Sequence, residues 1–344
     1  MLSNASEPSQ VRLGEFNYTQ IDLSETSLHD FDTEVMEKLL LDHTTHNNII
    51  WATDDYSELG EGYQFSDHIT LDKIFGVHNQ IIRPRAIKSR ELQRERTKDK
   101  GEVFTPAWVC NHQNNMIDAV WFESEHAPFN IENPDHTWST NTAPIAFPTM
   151  KSWRDYVRDT RLEITCGEAP YLASRYDATT GTLIPVENRI GLIDRKLRVI
   201  NENVNNHEEW LKWVQIAYQN IYGYEWQGDN LLLARESLLQ TFLENHALKF
   251  GDDYPLQMKS VRYIAYIISW NLFQMDGLKG VVPMTCGERH IVENNLFDTI
   301  ERVETCKGCE CNDIRSHNGI YALVRDWGAK SKDKQKIRFI DLLK

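Results

Sequence analysis

The sequence lacks the long apolar runs and the leader features of exported or membrane-embedded proteins. Among its 344 residues, no run approaches the ~18 apolar residues that a membrane-spanning helix requires. Residues Met1 to Gln10 contain neither the basic segment nor the apolar segment of a signal peptide. A content of 41% hydrophobic and 26% charged residues is typical of a globular protein. We therefore expect a globular protein of the cytoplasm that has no membrane partner.

Basic residues are also scarce, with 37 Lys and Arg against 51 Asp and Glu, for a net charge of -14. Because nucleic-acid phosphates are contacted by clustered cations, this balance disfavours a protein whose whole surface binds nucleic acid. One basic strip is the exception, and it contains Arg83, Arg85, Lys88, Arg90, Arg94, Arg96, Lys98 and Lys100. Charges of both signs recur at helical spacing up to Gly101, a common helix-ending residue. The strip is interpreted either as a DNA-contacting helix or as a solvated surface helix.

The six cysteines are too few, without an export signal, to indicate a disulfide framework, and they favour reduced thiols or a metal site. Four of them lie close together, at positions Cys286, Cys306, Cys309 and Cys311. Cys306-Lys307-Gly308-Cys309 has the Cys-x-x-Cys spacing of a zinc knuckle. We predict a structural zinc bound by Cys286, Cys306 and Cys309, with the fourth ligand open between Cys311, His290 and His317. The alternative is a set of reduced surface thiols.

The chain shows no internal repeat and divides into three parts, residues 1–80, 81–282 and 283–344. The first part is an extension that gives no chemical signal, and the last contains the cysteines and two predicted strands, Gly319–Val324 and Ile337–Ile340. In the middle part, strands and helices alternate. The predicted segments are a strand at Arg161–Thr165, a helix start at Ala169–Tyr176, a helix at Glu208–Gln219, a strand at Ile221–Glu225, a helix at Asn230–Asn245 and a helix or strand at Tyr263–Phe273. Such alternation predicts a parallel sheet with helices on both faces.

The string Gly101-Glu102-Val103-Phe104-Thr105-Pro106 is the first that bears on function. It resembles the Gly-Glu-Phe-Phe-Thr-Pro element of adenine-N6 DNA methyltransferases from type I and type IIG restriction-modification systems. In that family the element lines the S-adenosylmethionine pocket, so the resemblance implies cofactor contacts from Phe104, Thr105 and Pro106. From the residues alone, the string is also an ordinary helix start, with Thr105 as cap and Pro106 at the first helical position.

A second string, from Arg161 to Leu172, resembles the first cofactor motif of the same family, an acid followed by a Cys-Gly-x-Gly turn. The resemblance implies that Glu163 lies beside the amino group of the cofactor and that Cys166 and Gly167 form the turn. A departure stands at Ala169, where the family has its second glycine. Alanine fits there only if the backbone angles are ordinary, because it cannot replace a glycine that needs positive φ. The alternative is a plain strand-turn-helix corner.

Two further strings complete the resemblance. Residues Ile221 to Leu238 are similar to the family's segment whose acid binds both ribose hydroxyls, which implies that role for Glu225. Trp226 follows it, either as a stacking partner of the cofactor adenine or as a buried core aromatic. Asp276, in Asn271 to Leu278, resembles the acid that accepts from the adenine amine, and its alternative is a solvated Asp-Gly turn.

The four strings occur in the order of the family over about half of the chain. The resemblance therefore implies a Rossmann-like S-adenosylmethionine-dependent methyltransferase fold that acts on DNA together with another protein subunit. The family's Asn/Asp-Pro-Pro-Tyr/Phe motif, which holds the flipped adenine, is missing. Its nearest slot, after the predicted strand Ile337–Ile340, reads Asp341-Leu342-Leu343-Lys344, so we expect a domain that is incomplete at its C-terminal end and name no catalytic residue. The alternative is an inactive pseudo-methyltransferase with a binding or regulatory role.

Overall fold

A computed structural model describes residues 10–11, 32–88, 96–98, 105–294, 299–331 and 335–343. The α-helices there are α1 (Thr33–Leu40), α2 (Leu71–Ile74), α3 (Ala107–Phe122), α4 (Trp153–Arg158), α5 (Leu192–Asn203), α6 (His207–Gln219), α7 (Gly228–Phe250), α8 (Met258–Asn271) and α9 (Lys307–Cys311). The strands are β1 (Gln10–Val11), β2 (Asn130–Glu132), β3 (Trp138–Thr140), β4 (Arg161–Glu163), β5 (Ile221–Glu225), β6 (Leu256–Gln257), β7 (Leu272–Gln274), β8 (Arg289–Asn294), β9 (Thr299–Glu304), β10 (Leu323–Arg325) and β11 (Lys336–Arg338). The described residues therefore form both α-helices and β-strands, as in a mixed α/β fold.

The centre of the fold is a three-stranded parallel sheet in the order β4-β5-β7. Glu163 pairs with Gly223, and Glu225 pairs with Gln274. Helices α5 and α6 connect the first two strands, and α7 and α8 connect the last two. The predicted parallel sheet is confirmed, and β5 has the predicted bounds. The strands β4 and β7 have three residues each, so the parallel sheet is short along the strand direction.

The helices begin and end at local sequence signals, and their bounds differ by a few residues from the predicted ones. Helix α6 begins at His207 because the side chain of Asn206 accepts from the Glu209 N–H at 2.9 Å, which satisfies one amide of the first turn. Helix α7 continues to Phe250 and stops at Gly251, which has a φ of 56°. The ambiguous run Tyr263–Phe273 belongs to both α8 and β7. The predicted helix start at Ala169–Tyr176 is wrong, because this segment forms turns.

The two faces of the parallel sheet are covered differently. Ile221 and Leu272 point into the main apolar core, which they share with residues of the connecting helices such as Leu238. Alternate residues Tyr224 and Phe273 lie on the opposite face, because successive side chains of a strand point to opposite sides. There they pack against Ala322, Val324 and Phe339 of the C-terminal hairpin formed by β10 and β11. Helices were predicted on both faces, whereas this part of the second face is covered by the hairpin.

The described part of residues 1–80 packs into the same apolar core as the sheet. Val35 and Leu39 of α1, and Trp51, are fully buried in that core. The guanidinium of the buried Arg235 on α7 donates to the carbonyl oxygens of Leu39 and Leu41, at 3.1 Å for Leu41. These contacts tie the segment to α7, next to the end of β5 where the candidate site lies.

A buried ionic cluster fixes the helices that surround β4. The carboxylate of Asp118 on α3 lies 3.2 Å from Arg161 of β4 and 2.6 Å from Arg195 of α5, and it accepts from the Tyr156 hydroxyl of α4 at 3.0 Å. Asp118 has no exposed surface. A buried charge is tolerated when it is paired and hydrogen-bonded, and one acid here meets two cations and a hydroxyl. This cluster positions α3 and the start of β4 relative to each other.

Candidate functional site

Three acids lie at the carboxyl ends of the three parallel strands. Glu163 is the last residue of β4, Glu225 is the last residue of β5, and Asp276 follows β7 by two residues. The N–H of Met275 donates to the carbonyl oxygen of Glu225 at 2.9 Å, so the chain leaving β7 stays beside the end of β5. The sheet thus brings together predicted site residues that are separated by more than a hundred positions in the sequence. This edge is where α/β proteins with parallel sheets bind ligands.

The glycine turn after β4 contacts the acid of β5 directly. Gly167 has a φ of 53°, and its N–H donates to Glu225 Oε2 at 2.8 Å. The N–H of Gln227 donates to Glu225 Oε1 at 3.1 Å, and the N–H of Cys166 donates to the carbonyl oxygen of Tyr224 at 2.9 Å. Burial raises the pKa of Glu225 above its usual value, although these N–H donors oppose the shift. The turn and the acid therefore form one rigid corner.

Glu163 is enclosed at the start of the same corner. Its carboxyl accepts from the N–H groups of Tyr171 and Leu172 at 3.3 Å and 3.1 Å, and only 8% of the residue is exposed. Burial raises its pKa well above the usual value, and the two N–H donors lower it less. These contacts hold the segment that follows the turn. A contact between Glu163 and the amino group of a ligand stays a prediction.

Ala169 occupies a backbone conformation that favours glycine. Its φ is 59°, and its side chain is fully buried. A left-handed conformation disfavours an L-residue by roughly 1–2 kcal/mol, because Cβ approaches the following carbonyl oxygen. The position at which the sequence departs from the resembled family is therefore one where the backbone needs positive φ. The turn is made with an alanine all the same.

The start of α3 lies against the segment after the glycine turn. Pro106 is the N-cap residue and α3 begins at Ala107, one residue later than the helix-start interpretation placed it. The N–H of Ala107 donates to Asp177 Oδ2 at 2.8 Å, so a carboxylate of the chain itself occupies this helix N-terminus. The Asn114 side chain donates to the carbonyl oxygen of Tyr171 at 3.0 Å. Thr105 and Pro106 are thereby held beside the segment that follows the turn, while Phe104 lies outside the described residues.

Trp226 follows Glu225 along the chain, and Asp276 follows the neighbouring strand β7. The indole N–H of Trp226 donates to the carbonyl oxygen of Ala52 at 3.2 Å, and the ring is half-buried. Asp276 Oδ1 accepts from the N–H groups of Leu278 and Lys279 at 2.9 Å and 3.2 Å, which closes the Asp-Gly turn. Asp276 Oδ2 has Lys279 Nζ at 3.8 Å. One carboxylate oxygen thus maintains the turn, and the other faces the Lys279 ammonium.

Part of the basic strip serves the interior of the protein. Arg96 is 1% exposed, with a guanidinium nitrogen 3.0 Å from Asp229 Oδ2, and Lys88 Nζ lies 3.6 Å from the same oxygen. The Tyr56 hydroxyl donates to that carboxylate at 2.9 Å. Although burial raises the pKa of Asp229, the two cations hold it below its usual value. These two side chains are not available to DNA phosphates, and Arg90, Arg94 and Lys100 lie outside the described residues.

A second group of chemically active side chains lies at α9, whose N-cap residue is Cys306. Cys286, Cys306, Cys309 and His317 place four ligand atoms within 4.8 Å of one another. Cys286 Sγ lies 3.3 Å from Cys306 Sγ and 3.6 Å from Cys309 Sγ. His317 Nδ1 lies 3.4, 3.5 and 3.7 Å from the sulfurs of Cys286, Cys306 and Cys309. This group can hold a metal ion such as zinc.

Histidine, not the fourth cysteine, completes this group. Cys311 is exposed and lies outside it, and His290 is in β8 with its side chain outside the described part of the structure. Cys306 is buried and accepts from the Asn318 N–H at 3.3 Å. Burial raises the pKa of Cys306, but this N–H donor, the Cys309 N–H and neighbouring side chains lower it by more, to about 6. Cys306 is therefore poised to supply a thiolate.

The segment considered for the acceptor motif does not extend the parallel sheet. Strand β11 pairs antiparallel with β10, and the turn that follows it carries Asp341. The Asp341 carboxylate lies 2.8 Å from Arg338, with both side chains about half exposed. Asp341 is thus held at the surface of the hairpin. It does not follow one of the three parallel strands.

Comparisons of the chain with protein-family models, curated proteins and solved structures found no match. Among the described residues, no helix has the length and apolar character needed to cross a membrane.

Proposed function

We propose that this chain binds S-adenosylmethionine at the carboxyl ends of β4, β5 and β7, as an adenine-N6 DNA methyltransferase-like subunit of a restriction-modification or defence system. The observation that carries the proposal is the 2.8 Å hydrogen bond from the Gly167 N–H to Glu225. It puts the glycine turn of one strand against the terminal acid of the next. Dinucleotides and related nucleosides are held at such a corner, with the backbone close to the ligand and a carboxylate near its ribose.

Each group at this edge suits one part of an adenosine-containing ligand. A carboxylate accepts hydrogen bonds from hydroxyl and amine donors, which are the ribose hydroxyls for Glu225 and the adenine amine for Asp276. The indole of Trp226 offers an aromatic surface for the base. The Gly167 turn leaves room for the methionine part of the cofactor, since glycine has no side chain to collide with it.

A second candidate function is that of a pseudo-methyltransferase, which binds the cofactor as a sensor or scaffold. It is favoured by the antiparallel pairing of β11, which leaves Asp341 on the hairpin surface and not at the end of a parallel strand. Methylation of adenine N6 requires the flipped base to be held by polar and stacking contacts. In the first candidate function, another subunit supplies those contacts.

Calorimetric titration of S-adenosylmethionine into the wild-type chain and the Asp276→Asn variant tests the pocket. The asparagine Oδ1 keeps the acceptor for the Leu278 and Lys279 N–H groups, so the turn is retained. Only Oδ2 is replaced, by an amide that cannot accept from the adenine amine. A hydrogen bond to a charged acceptor contributes about 1.5–3 kcal/mol, so we expect Kd to rise roughly 10- to 100-fold.

The matched controls are an exposed-acid variant, Glu208→Asn, and a cofactor analogue with hypoxanthine in place of adenine. The exposed variant should bind like the wild type. The analogue should bind the Asp276→Asn variant better than the wild type, because its O6 accepts from the asparagine amide and is repelled by the carboxylate. Equal affinity of wild type and Asp276→Asn for S-adenosylmethionine would contradict the assignment of Asp276. Failure of the wild-type chain to bind the cofactor would contradict the proposed function as a whole.

Methyl transfer separates the two candidate functions. The purified chain is incubated with tritiated S-adenosylmethionine and mixed-sequence DNA, and label in adenine is measured. In both candidate functions we expect no label from the chain alone. In the first, label appears only when the partner subunit that supplies the acceptor contacts is added, whereas a pseudo-methyltransferase gives no label in either case. Label above background would show that the acceptor site is complete within this chain.

A further inference from the structure

We propose that Cys286, Cys306, Cys309 and His317 Nδ1 bind one Zn²⁺ in a closed tetrahedral site whose role is structural. Zinc bonds of roughly 2.3 Å to sulfur and 2.0–2.1 Å to nitrogen imply ligand separations of about 3.8 Å between sulfurs and about 3.6 Å between sulfur and nitrogen. The three sulfur–nitrogen distances, 3.4, 3.5 and 3.7 Å, surround that value. The sulfur–sulfur distances of 3.3 and 3.6 Å are slightly shorter.

The local backbone is shaped around these four atoms. A Cβ on Gly308 would lie 2.5 Å from the backbone nitrogen of His317 and 2.7 Å from its side-chain Nδ1. Only glycine therefore lets the knuckle approach the histidine this closely. A Cβ on Gly319 would lie 2.9 Å from the Cys286 Cβ. The Asn318 N–H donates to Cys306 Sγ, a contact that favours the thiolate and orients the ligand. Two glycines and one amide donor thus serve the same small volume.

Four protein ligands leave no open position for water or substrate, which is typical of structural zinc and not of catalytic zinc. The ligands come from three separate segments of the chain, at Cys286, at the knuckle Cys306–Cys309 and at His317. These segments also meet through hydrogen bonds, such as Val282 N–H to the Ile320 carbonyl oxygen at 2.8 Å and Ile320 N–H to Thr285 Oγ1 at 3.0 Å, and through the pairing of β8 with β9, and one metal ion would link all three. The metal therefore fixes the connection from β7 to the C-terminal hairpin.

Elemental analysis of the full chain, purified without chelator, tests the site. We expect about one zinc per chain in the wild type and a loss of most of it in Cys309→Ser and His317→Ala, because removal of one of four ligands opens the site. The matched control is Cys311→Ser, since Cys311 lies two residues from Cys309 but outside the group. It should keep the wild-type zinc content.

A measurement on the wild-type chain keeps the test independent of variants that fail to fold. Alkylation of each cysteine is followed by mass spectrometry with and without a chelator. Cys309 and Cys311 are both exposed, so in the absence of metal both should react. With zinc bound, Cys311 should react at least ~10-fold faster than Cys309, because only the metal-bound sulfur is blocked. Equal reactivity of the two cysteines in the sample without chelator, or zinc loss caused by Cys311→Ser alone, would overturn the proposal.

Discussion

Different kinds of contact stabilise the two regions of the chain, which are the helical region, residues 105–275, and the C-terminal region, residues 281–343. In the helical region, acids such as Asp118 and Glu244 are buried beside arginines, and the apolar core is large. In the C-terminal region, the ion pairs of Arg338 with Asp341 and of Arg302 with Glu304 are about half exposed. Its apolar cluster is small and borrows Tyr224, Phe273 and Met275 from the sheet.

The difference shows how the size of the surrounding core decides which contacts can stabilise a segment. A buried ion pair is stable only when many neighbouring groups exclude water and satisfy its hydrogen bonds, which the helical region provides. A short segment cannot bury enough apolar area to order itself, and small structures commonly use a metal instead. Asp276 of the candidate cofactor site lies where the chain passes from one region to the other.

The largest effect on stability is expected from Asp118→Ala. The substitution leaves Arg161 and Arg195 buried without their carboxylate, and breaking a buried pair in this way typically costs about 3–5 kcal/mol. Urea unfolding of the variant measures the loss. The control is Asp253→Ala, an exposed acid just after α7, which should unfold like the wild type.

The same variant sharpens the comparison if its zinc content is measured below the unfolding transition. We expect that content to stay at the wild-type value, because Asp118 does not contact the Cys and His ligands. An unchanged unfolding midpoint would show that the buried cluster does not stabilise the helical region.

An intermediate loss of stability is expected when the pH is lowered, because of His43, which lies between α8 and the C-terminal hairpin. Its Nε2 is 2.9 Å from Ser269 Oγ, its ring stacks on Trp270, and Thr44 beside it accepts from the Leu323 N–H of the hairpin at 3.0 Å. Burial, followed by the nearby charges of Arg235 and Lys336, lowers the pKa of His43 to about 3. Between the usual value of about 6.5 and about 3, the unfolded chain binds more protons, so stability falls as the pH drops.

The variant His43→Gln should therefore lose less stability than the wild type between pH 7 and pH 4.5, by about 2 kcal/mol from this one group. Urea unfolding at the two pH values measures the difference. His126→Gln, at an exposed histidine, is the control and should keep the wild-type pH dependence. An equal loss in wild type and His43→Gln would mean that His43 is not held neutral in the folded protein.

The smallest effect is expected from Ala169→Gly in the turn of the helical region. Glycine relieves a left-handed backbone, worth roughly 1–2 kcal/mol. It also removes a buried methyl group of about 0.8 kcal/mol and adds freedom to the unfolded chain worth about 0.4–1 kcal/mol. These contributions nearly cancel, so the unfolding free energy should change by less than about 0.5 kcal/mol. A clear gain would show that the surrounding contacts do not offset the strain.

The sequence by itself determined the elements whose signals are local. The strand Ile221–Glu225 was predicted with its observed bounds, since it lies between two strongly periodic helices. The parallel direction of the sheet followed from the alternation of strands and helices. The Cys306–Cys309 knuckle was likewise legible from its spacing. The predicted helix at Ala169–Tyr176 failed because the backbone of Ala169 takes a positive φ that no local pattern announces.

Only the tertiary structure decided which distant residues meet. Cys311 was a reasonable fourth ligand by spacing, yet it shares the short helix α9 with Cys309, and residues two apart on a helix do not face each other. His317 lies beyond that helix and returns to the other three ligands because the chain turns back at Asn312, which has a φ of 52°. Arg96, in a strip typical of a solvated helix, is buried because Asp229 lies opposite it at the start of α7. Both outcomes depend on partners far away in the sequence, where periodicity and spacing carry no information.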